Sequence, residues 1–162
     1  MGIKGIFPGT FDPITDGHMD IINRASSLLD HLTIAIAHNP DKQHWLSLTV
    51  RMDMIQAVTK HLDNIEIVTV KGLVAQYAHD HNIQAIIRGI RSQQDLLFEN
   101  QLALTNQQLN PMLETILMMA SANIAHVSSS LVREIYGHNG NIEAFVPPEV
   151  FNYLGEHGPY DQ

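Results

Sequence analysis

At 162 residues the chain has the size of one ordinary domain with a real core, and 44% hydrophobic against 16% charged residues is a globular composition. The absence of cysteine excludes a disulfide framework, thiolate metal ligands and a cysteine nucleophile. A net charge of −8, from nine Lys plus Arg against seventeen Asp plus Glu, argues against a nucleic-acid surface. No apolar run approaches the roughly 18 residues of a membrane span, and the N-terminus lacks the layout of a signal peptide. One cytoplasmic domain over residues 1–162 is expected.

Ile3 to Phe7 is a short apolar run closed by Pro8-Gly9, which predicts a buried strand and a turn. From His18 onward, Ile21, Ile22, Ala25, Leu28 and Leu29 recur at helical spacing, with Asp16 as the expected cap. Leu32 to Ala37 predicts a second strand, and the segment 38–46, containing Asn39-Pro40-Asp41, a loop. Ser47 is placed to cap a helix with Met52, Ile55, Val58 and Leu62 on one face. Ile65 to Val70 predicts the third strand, and Leu73 to His81 a helix that Asn82 ends in the left-handed conformation. Ala85-Ile86-Ile87 predicts a short fourth strand running into Arg88-Gly89. Ser92 and Asp95 have the spacing of a capping box for a long helix that stops before Pro111, and Thr115 to Met119 predicts the fifth strand. Ser128-Ser129-Ser130 leads into a helix ending near Gly137, and Pro148 to Leu154 predicts a last one. Five short apolar strands alternating with helices predict an α/β doubly wound five-stranded parallel sheet covered on both faces. Ligands of such folds bind beyond the carboxyl ends of the strands.

Those strand ends carry groups suited to phosphate. After the first, Gly9 lets the backbone approach a ligand, Thr10 offers a hydroxyl, and Thr15-Asp16-Gly17-His18 opens a helix whose N-terminus favours an anion. His18 lies in the first turn, where a bound anion would favour its protonated form. The same residues would equally shape a plain turn before an exposed helix. Arg88-Gly89-Ile90-Arg91 follows the fourth strand, and planar guanidinium groups suit bidentate phosphate binding, although two solvated loop cations are the simpler alternative. Lys42 sits in the loop after the second strand, from which a flexible amine can swing over a site. Ser128 to Ser130 provide hydroxyl and N–H groups, of which ordinary capping needs one serine. Neither G-x-G-x-x-G nor G-x-x-x-x-G-K-[ST] is present, so phosphates are held in another way.

Gly9-Thr10-Phe11-Asp12-Pro13 with Gly17-His18 resembles the signature of the nucleotidylyltransferase superfamily, whose [HT]-x-G-H element stands here as Thr15-Asp16-Gly17-His18. From PGTFDPITDGH through IIRGIR and Phe98-Glu99 to VSSSLVRE, nearly the whole chain is similar to the bacterial pantetheine-phosphate adenylyltransferases. The resemblance implies a Rossmann-like fold and a transfer of the adenylyl group of ATP to 4′-phosphopantetheine. The products are dephospho-coenzyme A and pyrophosphate, formed by direct in-line attack without a covalent enzyme intermediate, in the penultimate step of coenzyme A synthesis. It also implies a cytoplasmic homohexamer, Mg²⁺ bound mainly through the ATP phosphates, and coenzyme A as a feedback ligand. Carried over position by position, Thr10, His18, Lys42 and Arg91 are the implied catalytic residues. Thr10, Lys42 and Arg88 are implied for the acceptor's phosphate, and Leu73 and Val74 for its pantetheine arm. For ATP the implied set is Thr10, Phe11, His18, Gly89, Ile90, Arg91, Glu99 and the run Ile124, Ala125, His126, Val127, Ser128, Ser129 and Ser130. Against the family's pattern, Phe98 stands where tyrosine is common, Ile124 where tryptophan is frequent, Asp16 for asparagine, and Gln43 and His44 in a loop usually richer in lysine.

His79-Asp80-His81 is the densest histidine cluster, but i and i+2 do not share a helix face, and a solvated helix end is the simpler reading. Met118-Met119 reads as core strand, and the Asn/Gln run from Asn100 to Asn110 as the polar side of a helix or a subunit contact. Two rival functions fit the same motifs: a cytidylyltransferase acting on a phosphorylated alcohol, and a non-catalytic nucleotide sensor. The first usually opens its motif with histidine, where Thr15 stands here; the second has no need of His18, Lys42, Arg88 and Arg91 together.

Overall fold

The computed structural model describes residues 2–38 and 41–159. Asn39 and Pro40 of the expected loop lie outside the described residues. Five strands, β1 (Lys4–Gly9), β2 (His31–Ala37), β3 (Ile65–Val70), β4 (Ala85–Ile90) and β5 (Glu114–Met119), form one parallel sheet in the order β3-β2-β1-β4-β5. Helices α1 (Asp16–Leu28), α2 (Leu48–Thr59), α3 (Val74–Asp80) and α4 (Gln93–Leu109) connect successive strands, and α5 (Ser129–Gly137) and α6 (Pro148–His157) close the chain. The order reverses at β1, so α1 and α2 cover one face and the crossovers to β4 and β5 the other.

Period-two alternation in the inner strands feeds two cores. Phe7, Ile34, Ile36 and Ile87 pack with α1, α2, α5 and α6, while their neighbours Ile6, Ala35 and Ile86 pack with Ala75 and Ala78 of α3 and with Leu113. Among the described residues no helix is long and apolar enough to cross a membrane.

Several local expectations shift. The cap of α1 is Thr15, not Asp16, which has become the first helical residue. Strand β4 continues through Arg88 and Gly89 to Ile90, paired with Leu117 and Met118 of β5, so Arg88 is a strand residue. The buried stripe of α2 is rotated from the expected one and takes in Val50, Arg51, Met54, Ile55 and Val58. Asn82 ends the third helix at φ 53, as its position predicts. Met118 is core, whereas Met119 is exposed.

One irregularity positions the site. β1 pairs with β2 along its whole length, from Lys4 to Gly9, but with β4 only at Gly5 and Ile6. Pro8 has no N–H to offer there, and Arg88 Nη1 donates to the Pro8 carbonyl (3.3 Å). The sheet therefore opens between its two central strands at their carboxyl ends, the switch point of a doubly wound fold.

Candidate active site

An open cleft of about 680 Å³ lies over the carboxyl end of β1. It is lined by Thr10, Phe11, Asp12 and His18 from β1 to α1, by Lys42, Gln43, His44 and Trp45 from the loop after β2, and by Ser129, Ser130 and Arg133 of α5.

The helix start at Thr15 to His18 is a capping box with histidine in the place usually held by glutamate. His18 N–H donates to Thr15 Oγ1 (3.4 Å), and Thr15 N–H donates back to His18 Nδ1 (3.0 Å). A backbone N–H can only donate, so Nδ1 must carry the lone pair and the proton of the neutral ring sits on Nε2. Burial, and then the charge of Arg91, push the His18 pKa down to about 4. At neutral pH the free site thus holds a neutral imidazole with a fixed tautomer and its Nε2–H on the side away from Thr15. The ring is wedged against Phe11 (centroids 4.9 Å), which sits at φ 50, fully buried, edge-on to Phe7.

This packing narrows the expectation of an anion-binding helix start at α1, where Gly17 N–H is left without a partner among the described residues. Thr15 N–H is taken by His18, Asp16 N–H by the Phe145 carbonyl (3.0 Å) and His18 N–H by Thr15 Oγ1. The helix start presents a side-chain donor rather than a row of backbone donors. Gly17 serves a close approach: a Cβ there would lie 3.2 Å from the Val127 carbonyl oxygen.

The three serines separate by role. Ser128 Oγ accepts from Leu131 N–H (3.2 Å) and is the cap of α5. Ser129 Oγ donates to the Pro13 carbonyl (2.7 Å), tying α5 to the first loop. Ser130 Oγ accepts from Arg133 Nη2 (3.3 Å), which leaves its own proton free to donate into the cleft. The N–H groups of Ser129 and Ser130 lie in the first turn, outside the helical ladder.

At the carboxyl end of β4, Arg88 makes a two-pronged ion pair with Glu99 of α4, both N···O distances 2.8 Å, with Glu99 buried. Its fork is therefore held in place before any ligand arrives. Arg91 Nη1 donates to the Val127 carbonyl (3.3 Å) and its Nε approaches Asp95 (3.4 Å). Ile124, Ala125, His126 and Val127 form the turn after β5, which Asp20 anchors by accepting from Ser121 N–H and Oγ–H. Leu73 and Val74 stand apart from the cleft lining, at the start of α3, with Leu73 exposed after Gly72. Phe11 is buried, its ring packed between Phe7 and His18.

Sequence reasoning passed over three residues. Arg133 Nη1 donates to the Asp12 carbonyl (2.6 Å) at the cleft wall, and its spacing from Ser129 and Ser130 by four and three residues was the available signal. The Asp12 carboxylate accepts from Trp45 N–H and Leu46 N–H, each at 2.8 Å, fastening the loop that carries Lys42. Arg51 is fully buried beneath Thr10, and its signal was a cation in the apolar stripe of α2. His79 and His81 point to no shared ligand: His79 meets Asp80 (3.2 Å), and His81 stacks on Tyr77.

A family model described as cytidylyltransferase-like matches residues 6–135. The chain is 47% identical over 143 residues to the phosphopantetheine adenylyltransferase of Psychromonas ingrahamii, covering 88% of this chain and 89% of that one. It is 46% identical over 147 residues to that of Hamiltonella defensa, covering 91% and 94%. A solved structure named for nicotinate-nucleotide adenylyltransferase, from Vibrio parahaemolyticus, superposes with a TM-score of 0.74 at 17% identity over 99% of this chain and 96% of that one, a likeness of fold. Motif, cleft and near-full-length similarity agree: the chain belongs to the phosphopantetheine adenylyltransferase family, within the cytidylyltransferase-like group.

Proposed function

We propose that this protein transfers the adenylyl group of ATP to 4′-phosphopantetheine, releasing pyrophosphate and forming dephospho-coenzyme A. The observation that carries the reading is a cleft of donors in a chain of this family: its lining offers hydroxyl, N–H and cationic groups, and Asp12, the carboxylate among the described lining residues, is already fastened to two backbone N–H groups. An oxygen of the acceptor's phosphate bonds to the α-phosphorus of ATP while the bond from that phosphorus to the bridging oxygen breaks, and pyrophosphate leaves with that electron pair. The nucleophile is already an anion, so no general base is required. The barrier lies in bringing polyanions together, and positioned donors lower it.

In this reading Thr10 Oγ–H and His18 Nε2–H donate to the phosphoryl oxygens at the reacting centre. Lys42 and Arg88 hold the acceptor's phosphate, while Arg91, Arg133, Ser130 and the first turn of α5 take the phosphates of ATP. The turn Ile124–Val127 borders the base, and Leu73 and Val74 the pantetheine arm. The described lining offers Mg²⁺ no free carboxylate, so in this reading the ion would be held by phosphate oxygens of ATP and by water. Bound there, the ion supplies charge neutralisation. Exposed Leu97, Leu104, Met112 and Met119 support a homo-oligomer, for which we assign the hexamer of the family, and coenzyme A is assigned as a feedback ligand.

The test supplies purified protein with 4′-phosphopantetheine, Mg²⁺ and either ATP or CTP, and measures pyrophosphate and the nucleotidyl product. Turnover with ATP is expected. Pyrophosphate from CTP alone, or binding of ATP with no turnover, overturns the reading.

A further inference from the structure

The most unusual buried group in the molecule lies under the cleft rather than in it. Arg51 sits on the apolar stripe of α2 with 1% of its surface exposed, among Val50, Met54 and Ile55. Its Nη1 donates to the Thr10 carbonyl (2.9 Å), but Nε and Nη2 are buried without a hydrogen-bond partner. A guanidinium so placed adds little to stability, and an apolar side chain of the same volume would suit the stripe better. Such a group calls for another explanation.

Its surroundings supply one. Burial disfavours its charged form, and the nearby Asp12 carboxylate offsets this only through its charge, with no hydrogen bond between the two. Both Asp12 oxygens hold backbone N–H groups of Trp45 and Leu46, at the end of the loop that carries Lys42. The Arg51 guanidinium therefore ties the Thr10 carbonyl to the first turn of α2, which follows directly on that loop, while Asp12, two residues after Thr10, holds the end of the loop itself.

We propose that Arg51 is a positioning residue, which fixes the spacing between Thr10 and the Lys42 loop across the phosphate-binding cleft without touching substrate itself. The proposal rests on the adenylyl-transfer reading of that cleft. Thr10 and Lys42 line the same cleft from two separate loops and, in that reading, hold the two phosphates that react with each other, so a relaxation of about 1 Å between them costs on the order of 10²-fold in rate.

Trp45 is the sole tryptophan, and its N–H is one of the two that Asp12 holds, so its fluorescence reports the loop directly. The experiment compares the intact protein with Arg51→Met, Arg51→Lys and the core variant Val58→Ala on the same helix, after thermal melts have ranked their stability. Arg51→Met is expected to lower kcat on the order of 100-fold with KM for ATP within about threefold, and to raise acrylamide quenching of Trp45. Arg51→Lys, which keeps the charge but loses the fork, is expected to fall between it and the parent, and it decides the matter if Arg51→Met does not fold. Val58→Ala is expected to lower the melting temperature and leave both readouts unchanged. The proposal requires turnover and Trp45 quenching to move together; either one moving alone, neither moving, or both moving in Val58→Ala overturns it. If the parent protein does not turn over 4′-phosphopantetheine, the functional reading fails instead, and the Trp45 arm still decides whether Arg51 holds the loop.

Discussion

Replacing His18 separates two roles that one side chain fills at once. Its Nδ1 closes the capping box of α1, and in the proposed reaction its Nε2–H donates to the reacting phosphoryl group. Loss of the cap is worth about 1 kcal/mol of stability, a fall of roughly 2–4 °C in Tm for a chain of this length. Loss of one preorganised transition-state donor is worth roughly 3–4 kcal/mol, or about 10²–10³ in kcat. His18→Ala loses both. His18→Gln restores an acceptor at the position where glutamine ordinarily completes a capping box, but its amide N–H₂, on a flexible chain, does not keep the fixed aim of the ring's Nε2–H. The expected outcome is therefore a Gln variant with parental Tm and a kcat still depressed at least about 100-fold. Urea melts and steady-state pyrophosphate release measure the two quantities on the same preparations. A Gln variant within threefold of parental turnover would show that the fixed ring donor is not required, and an Ala variant with near-normal turnover would remove the side chain from the mechanism altogether.

Because the folded value of His18 is about 4 against an ordinary value near 6.5, the unfolded chain takes up a proton in that window that the folded chain refuses. This contribution to stability is fully present above pH 6.5 and declines as pH falls toward 4, so the urea midpoint of the parent should drop more between pH 7 and pH 5 than that of His18→Gln. An equal drop in both removes His18 from the acid response. Glu99→Ala leaves the Arg88 fork without its counter-ion, and an acceptor KM raised on the order of tenfold is expected, with a smaller change in kcat; an unchanged KM shows that Arg88 does not depend on Glu99 for its aim. Arg133→Ala removes a cation from the α5 wall, and pyrophosphate inhibition should weaken about tenfold while KM for the acceptor holds. An acceptor-specific effect would place Arg133 on the other substrate.

The alternating elements, both faces of the sheet and the convergence of Thr10, His18, Lys42 and the serine run were legible because each rests on local pattern: period two in strands, spacing of 3.6 in helices, polar groups where apolar runs stop. What was not legible is the assignment of partners. Three serines in a row look alike in sequence, and only the folded loop shows that Ser129 gives its proton to Pro13 while Ser130 keeps its own. The strand end at Ile87 was misplaced because Arg88 reads as solvated, whereas Glu99 from the next helix answers its charge inside the sheet. Asp12 stood in the sequence only as one letter of the motif, because its bonds to Trp45 and Leu46 cross more than thirty positions.

The short seam between β1 and β4 has a consequence for how the protein responds to its substrates. The two halves of the sheet, β3-β2-β1 and β4-β5, are zipped at one end and separate at the other, with Arg88 reaching across to Pro8. In the proposed reaction, a nucleotide held by Thr10 and His18 on one half and by Arg91 on the other would act as a staple across the open end. Occupancy then stiffens the middle of the molecule rather than its rim, and amide exchange in the last residues of β1 and β4 becomes a direct measure of how full the site is.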